Sequence, residues 1–159
     1  METILTGNIW KQVNRQVRAA KCRLFGVAYI SNDCHLRFKP NDILICDASD
    51  RAIRTGETSA LVLKLLLQKG IEIHSCPDLH AKVAVFGRYA LIGSCNLSIM
   101  SAEYKIELAL LTDRTQIVAQ ATAFIHSLRE SSKKIDGKFL QRILRIKVRP
   151  PRRLGRVYR

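Results

Sequence analysis

The sequence predicts an α/β domain built around a mixed sheet, and three observations carry that prediction. Short apolar segments rich in β-branched and aromatic residues alternate with longer segments of helical period. Such alternation favours helices layered on a sheet. Two strand-like runs, 82–86 and 89–92, are separated only by Gly87-Arg88, which is short enough to make them an antiparallel hairpin. The length, 159 residues, suits one domain.

Taken in chain order, residues 8–20 read as an amphipathic helix, with Ile9, Val13 and Val17 on one face and Lys11, Arg15 and Arg18 away from it. Leu24 to Ile30 (LFGVAYI) is apolar, ends in Ser-Asn-Asp and reads as a buried strand. Asp42 to Cys46 is a second strand, leading into a polar loop at 47–50. Thr58 or Ser59 caps a helix through Lys69, which Gly70 ends. Ile71 to His74 is a short strand, followed by the two hairpin strands. Asn96 to Glu103 reads as helical and Ile106 to Leu111 as a strand. Arg114 to Arg129 is a long helix with Ile117, Ala121, Phe124, Ile125 and Leu128 facing inward. No internal repeat is visible. The only composition shift is near Ser131, dividing a domain at 1–132 from a basic helix and arm at 133–159.

Charge narrows the partners. Lys and Arg number 27 against 13 Asp and Glu, a net charge of +14. Eleven basic residues and one acid, Asp136, fall between Lys133 and Arg159, so this stretch contributes +10 of the total. A field of that size attracts polyanions, either nucleic acid or an acidic membrane surface. Lys138, Arg142, Arg145 and Arg149 lie 4, 3 and 4 apart and form one stripe on a helix, opposite Phe139, Leu140, Ile143 and Leu144. That helix must end near Pro150-Pro151, with Arg152, Arg153, Arg156 and Arg159 on an extended arm. No apolar run reaches the roughly 18–20 residues that cross a bilayer. Glu2 stands where a secretory leader carries positive charge, so a soluble cytoplasmic protein is expected.

Five cysteines, an odd number without a CxxC, suggest neither a disulfide framework nor a zinc ribbon. Cys22 and Cys46 read as small buried hydrophobes. Cys34-His35 and His74-Ser75-Cys76 with His80 have spacings that match no compact metal site. No metal and no other cofactor is expected.

The informative stretch is His80-Ala81-Lys82, Gly93-Ser94-Cys95-Asn96 and Glu107. Residues two apart on a strand share a face, and the hairpin returns residues 93–96 to the neighbourhood of His80. An imidazole, an ammonium, a carboxamide and a hydroxyl then converge at one sheet end, a donor set suited to a tetrahedral phosphate. Gly93 permits close backbone approach, and Asn96 at a helix start adds the favourable dipole of that terminus. Ser94 either binds substrate or merely caps the helix.

These residues resemble the phospholipase D superfamily, whose signature is HxK, four residues, Asp, then GSxN. Here the match reads HAKVAVFGRYALIGSCN. The similarity runs from about Leu24 to Leu111 and is greatest to small bacterial endonucleases and metal-independent restriction-endonuclease catalytic domains. The resemblance implies a mixed sheet between helices and an attack by His80 on phosphorus to form a phosphohistidine. It also implies that Lys82 and Asn96 hold the non-bridging oxygens and that Glu107, 13 residues after Ser94, orients the imidazole. Gly87 replaces the family Asp, a position thought to support structure more than chemistry.

Cleavage through phosphohistidine needs one neutral imidazole to attack and a second group to protonate the leaving oxygen. Unperturbed histidine titrates near ~6.5, so both forms are reachable at neutral pH. One His80 cannot serve both roles. The chain has a single HxK motif, so a two-fold homodimer pairing two His80 side chains is expected. The leading expectation is a metal-independent endonuclease acting on nucleic acid, DNA more than RNA. The alternatives are a phospholipase or phosphatidyl transferase on anionic lipid, and a catalytically silent nucleic-acid-binding subunit.

Overall fold

The computed structural model describes residues 1–149, and the arm from Pro150, with Arg152, Arg153, Arg156 and Arg159, lies outside them. Eight strands form one mixed sheet in the order β1-β7-β6-β5-β2-β3-β4-β8. They are β1 (Glu2–Thr6), β2 (Arg23–Val27), β3 (Ile43–Cys46), β4 (Glu72–Ser75), β5 (Lys82–Phe86), β6 (Tyr89–Gly93), β7 (Leu108–Thr112) and β8 (Lys133–Lys134). The β2-β3 and β3-β4 pairs are parallel and the other neighbours antiparallel. Helices α1 (Ile9–Ala19), α2 (Asp50–Thr55), α3 (Ala60–Gln68) and α5 (Gly137–Leu144) contribute to one hydrophobic cluster. Helix α4 (Thr115–Ser131) closes the opposite face through Ala121 and Ile125. The predicted mixed sheet with helices on both faces is the observed architecture.

Every residue of β2 is buried, as the doubly covered centre of such a sheet requires. Its first residue is a cation. The Arg23 guanidinium is buried and its Nε donates to Asp42 Oδ1 at 2.8 Å, with Nη2 on Oδ2. The remaining donors reach the carbonyls of Val17, Leu36 and Arg37, and Lys39 N donates to the same carboxylate at 2.7 Å. This fully satisfied pair ties the α1–β2 junction to the start of β3. Removing one partner of such a pair typically costs ~3–5 kcal/mol because the other charge is left buried and unpaired.

Several elements differ from the sequence reading. Strand β1 escapes it, because Ile4 lies exposed at the sheet edge and leaves no buried alternation. The 47–50 segment is not wholly loop: Ser49 accepts from Ala52 N and starts α2. Residues 96–98 form no helix, and a helical turn begins only at Ile99, with Met100–Tyr104 π-helical. The cause is tertiary: Ile30 bridges Leu97, and the Trp10 indole donates to the Asn96 carbonyl at 2.9 Å. Phe124 is 40% exposed on α4 and does not face inward. Cys22, between α1 and β2, is exposed, whereas Cys46 is buried as expected.

Gly87 has its physical reason in the hairpin. It sits at φ +61° as the first residue of the two-residue turn, where Phe86 pairs with Tyr89. A glycine with positive φ in that place matches the right-handed twist of the flanking strands. The neighbouring Arg88 pairs with Asp113, which also holds the chain's amino terminus at 2.5 Å.

Residues 133–149 of the basic segment are packed into the fold. β8 pairs with β4, and Ile135, Phe139 and Ile143 are buried in the main cluster. Helix α5 ends at Leu144, earlier than the prolines demand, since Arg145 N and Ile146 N turn back onto Arg142 O and Ile143 O. Lys138 and Arg142 therefore lie on the helix, Arg145 is its cap, and Arg149 lies beyond it.

Candidate active site

His80, Asn96 and Glu107 line one open cleft of ≈ 600 Å³ with Tyr29, Ser98 and Lys105 among its walls. Lys82 opens β5 and pairs with Val27 on β2. Asn96 follows β6, and Glu107 immediately precedes β7 instead of lying within it. The hairpin and the β6-β7 pair thus bring three separated stretches to one end of the sheet.

His80 is exposed, and its imidazole makes no hydrogen bond among the described residues. The Lys82 ammonium donates to the His80 carbonyl at 2.6 Å, so it braces the backbone that carries the imidazole. Burial lowers the Lys82 pKa below the ordinary lysine value, opposed chiefly by the charge of Glu107. The Asn96 amide has a fixed orientation: Tyr29 N donates to Oδ1 at 3.2 Å, leaving the NH₂ end without an internal acceptor among the described residues. Because a backbone N–H can only donate, that interaction assigns the oxygen.

Glu107 is buried and organises the loop. It accepts from Ser94 Oγ on one oxygen and from Ser101 Oγ on the other, while Ser101 Oγ accepts from Asn96 N at 2.8 Å. Leu108 N donates to Ser94 Oγ at 3.1 Å. The single Ser94 proton is therefore engaged within the fold, and Ser94 caps no helix. Glu107 makes no hydrogen bond to His80 among the described residues; it locks the 94–101 loop on which Asn96 stands. Asn96 is not at a helix start, so its donor role rests on the amide alone. Cys95 is buried, and desolvation followed by the Glu107 charge pushes its thiol up to about 12. It stays uncharged at neutral pH and is no rival nucleophile.

Gly93 permits close approach, but to protein. A Cβ there would lie 2.4 Å from Leu108 O and 2.6 Å from Ala109 Cα, against the very strand that follows Glu107. Gly93→Ala is expected to cost ~1–3 kcal/mol of stability by forcing β6 and β7 apart. Activity should fall further than stability, since Ser94 and Glu107 move with those strands. Thermal melts beside initial rates check this; a variant with wild-type melting and turnover contradicts it.

Sequence reasoning missed Ser101 and Tyr29, which match no spacing pattern; only the folded loop brings them to Asn96. Of the loosely spaced metal candidates, His74 Nε2 instead contacts Glu72 at 2.8 Å, and Arg129 binds the same carboxylate. Arg129 holds the Glu72 carboxyl below its usual range, against opposing burial. Among the described residues no group of three or more His, Cys, Asp or Glu side chains is placed to hold a metal ion. No helix there is long and apolar enough to cross a membrane.

An HxK strand start facing a GSxN loop across an antiparallel hairpin, in this mixed sheet, defines the phospholipase D-like class of phosphodiesterases. The chain belongs to that family: residues 12–129 match the family model described as "Cardiolipin synthase, PLD-like domain". NucT from Helicobacter pylori superposes with a TM-score of 0.71 at 13% identity, covering 85% of this chain and 99% of its own. Nuc from Salmonella typhimurium, a phospholipase D family member, gives 0.69 at 11% identity, covering 86% and 100%. TrmBL2, an archaeal chromatin protein with a novel mode of DNA binding, gives 0.56 at 9% identity over 84% of this chain and 54% of its own. No curated protein matches the chain by sequence. At these identities the superpositions establish the fold, and the family assignment establishes a phosphodiesterase.

Proposed function

We propose that this protein is a metal-independent endonuclease that cleaves nucleic-acid phosphodiesters through His80 in a homodimer. The observation that carries the reading is the exposed, uncommitted His80 imidazole in a polar cleft beside the outward-turned amide of Asn96. In the proposed reaction a ring nitrogen of neutral His80 attacks phosphorus, forming a P–N bond as the P–O bond to the leaving group breaks. The protonated His80 of a second protomer gives its proton to the departing oxygen. Water then attacks the phosphohistidine, passes a proton to that second imidazole, and the P–N bond breaks to restore His80. Lys82 and the Asn96 amide stabilise the non-bridging oxygens, where charge develops. Glu107, with Ser94 and Ser101, positions Asn96. Lys138, Arg145 and Arg149 contribute to binding the substrate, and Arg142, ion-paired to Asp50, holds their segment in place. The net charge of +14 draws a polyanion, and the mainly polar side chains that line the cleft suit a nucleic-acid phosphodiester better than a lipid with acyl chains.

The test is cleavage of plasmid, single-stranded DNA, RNA and phospholipid vesicles, each with and without excess EDTA. Nucleic-acid cleavage should persist undiminished with chelator. Activity that vanishes with EDTA and returns with Mg²⁺ overturns the metal-independent scheme, and cleavage of phospholipid alone overturns the substrate. The active species should sediment as a dimer; a fully active monomer contradicts the shared site.

Lys82 adds a pH signature. Burial disfavours its charged form, so the ammonium loses its proton at lower pH than an ordinary lysine near ~10.4. Activity should therefore decline as pH rises through that lowered value. In a pH–rate profile of kcat, Lys82→Arg should lower the rate yet abolish this alkaline limb, because guanidinium stays charged. An alkaline limb unchanged in Lys82→Arg assigns it to another group.

A further inference from the structure

Residues 145–149, which follow α5, are tied back to α2. Arg149 N donates to Arg54 O at 2.6 Å, at the last turn of α2, and Val148 Cγ1 lies 3.4 Å from the Cβ position of Gly56. Thr55, Gly56 and Glu57 are walls of the His80 cleft. At the other end of α2, Asp50 is ion-paired to Arg142, which also lies 4.7 Å over the Phe139 ring. Residues 145–149 therefore run the length of α2, from a separate groove to the rim of the catalytic cleft. That groove, ≈ 490 Å³, is lined by Lys133, Lys138, Phe139 and Arg145 among others. Lys138, Arg145 and Arg149 are exposed and make no ion pair among the described residues.

We propose that Lys133, Lys138, Arg145, Arg149 and Arg54 form a phosphate track that leads a nucleic-acid strand from the His80 cleft along α2 into the α5 groove. The inference rests on the nuclease reading for its substrate class and adds the path and the length. A helix of six residues spans about 9 Å. At the ~3.4 Å axial spacing of a stacked strand this is on the order of three nucleotides. Binding should then strengthen steeply once the strand extends at least that far beyond the scissile phosphate, and level off after the groove is filled. Arg142, committed to Asp50 and Phe139, anchors the track more than it touches phosphate.

The experiment is fluorescence-anisotropy binding of the full chain carrying His80→Ala, so that cleavage does not interfere. The probes are oligonucleotides of increasing length from a dinucleotide upward, and anionic phosphatidylserine vesicles. Lys133→Gln with Lys138→Gln, which leaves Phe139 and Ile143 in place, should erase the rise in affinity with length. It should also flatten the dependence of log Kd on log salt by ~0.7 for each phosphate of a single strand that is no longer neutralised. Circular-dichroism melts confirm that the variant is folded. An unaltered length dependence and salt slope in the folded variant overturn the track, as does absence of oligonucleotide binding. Vesicle binding that exceeds oligonucleotide binding and needs the same two lysines assigns the groove to a membrane and also overturns it. Strong length-dependent binding without any cleavage by the wild-type chain leaves the track standing and removes the nuclease reading.

Discussion

Replacement of His80 by alanine should lower phosphodiester turnover by on the order of 10⁴–10⁶-fold, the usual loss when a nucleophile is deleted from a cooperating site. The fold should barely notice. The imidazole is exposed and makes no internal hydrogen bond among the described residues, and substitutions of that kind usually change stability by no more than ~0.5 kcal/mol. Nucleic-acid affinity should also stay close to wild type, since the lysines and arginines of the surface, and not one imidazole, supply most of the attraction to phosphate. The two readouts together distinguish a nucleophile from a structural residue. A phosphohistidine trapped at neutral pH in the wild-type protein, and absent from His80→Ala, would fix the chemistry. Wild-type turnover in His80→Ala would remove the mechanism outright.

Ending the chain after Ser132 should cost the protein its cooperative fold. This segment carries seven basic residues between Lys133 and Arg149 and reads from the sequence as a basic helix and arm following the 1–132 domain. Its apolar face, however, places Ile135, Phe139 and Ile143 in the main core at 1%, 8% and 0% exposure. Burying a large apolar side chain contributes about 1.5–3 kcal/mol, so the three together supply on the order of 5–9 kcal/mol, an upper bound because unfolded chains bury some surface already. That is comparable with the whole stability of a typical domain, ~5–15 kcal/mol. The β4 edge also loses β8, and α3 loses its neighbour α5. Heat-induced unfolding followed by circular dichroism should show a broad, low transition or none. A truncated chain that melts with the wild-type midpoint would mean that this packing contributes little.

What is readable in the sequence is what short range and periodicity decide. The strands at 82–86 and 89–93 are legible because Gly87-Arg88 permits a two-residue turn and little else. Helix α3 is legible from its Ser59 cap and the glycine at position 70. Charge names the polyanion class, and the HxK and GSxN spacings group His80, Lys82, Asn96 and Glu107 on pattern alone.

The rest is decided by interactions between residues far apart in sequence. A helical pattern after Asn96 loses to the Trp10 indole, the Tyr29 amide and the bridge from Ile30, which hold the loop open where a helix would have consumed those groups. Gly93 reads as room for a ligand, yet its missing side chain is what lets β6 meet β7. Ser94 reads as a donor for substrate, yet its proton goes to Glu107, a carboxylate that needs both Ser94 and Ser101 because it is buried away from water. Composition sets the basic helix and arm after Ser132 apart from the 1–132 domain, but Ile135, Phe139 and Ile143 on the reverse face dock residues 133–149 onto the core. Local sequence determined which chemical groups this protein presents, since a residue's charge, turn preference and period belong to it and its neighbours. Tertiary structure decided which of those groups remain available, because a buried donor or carboxylate must find its partner inside the fold, and that partner can lie anywhere in the chain.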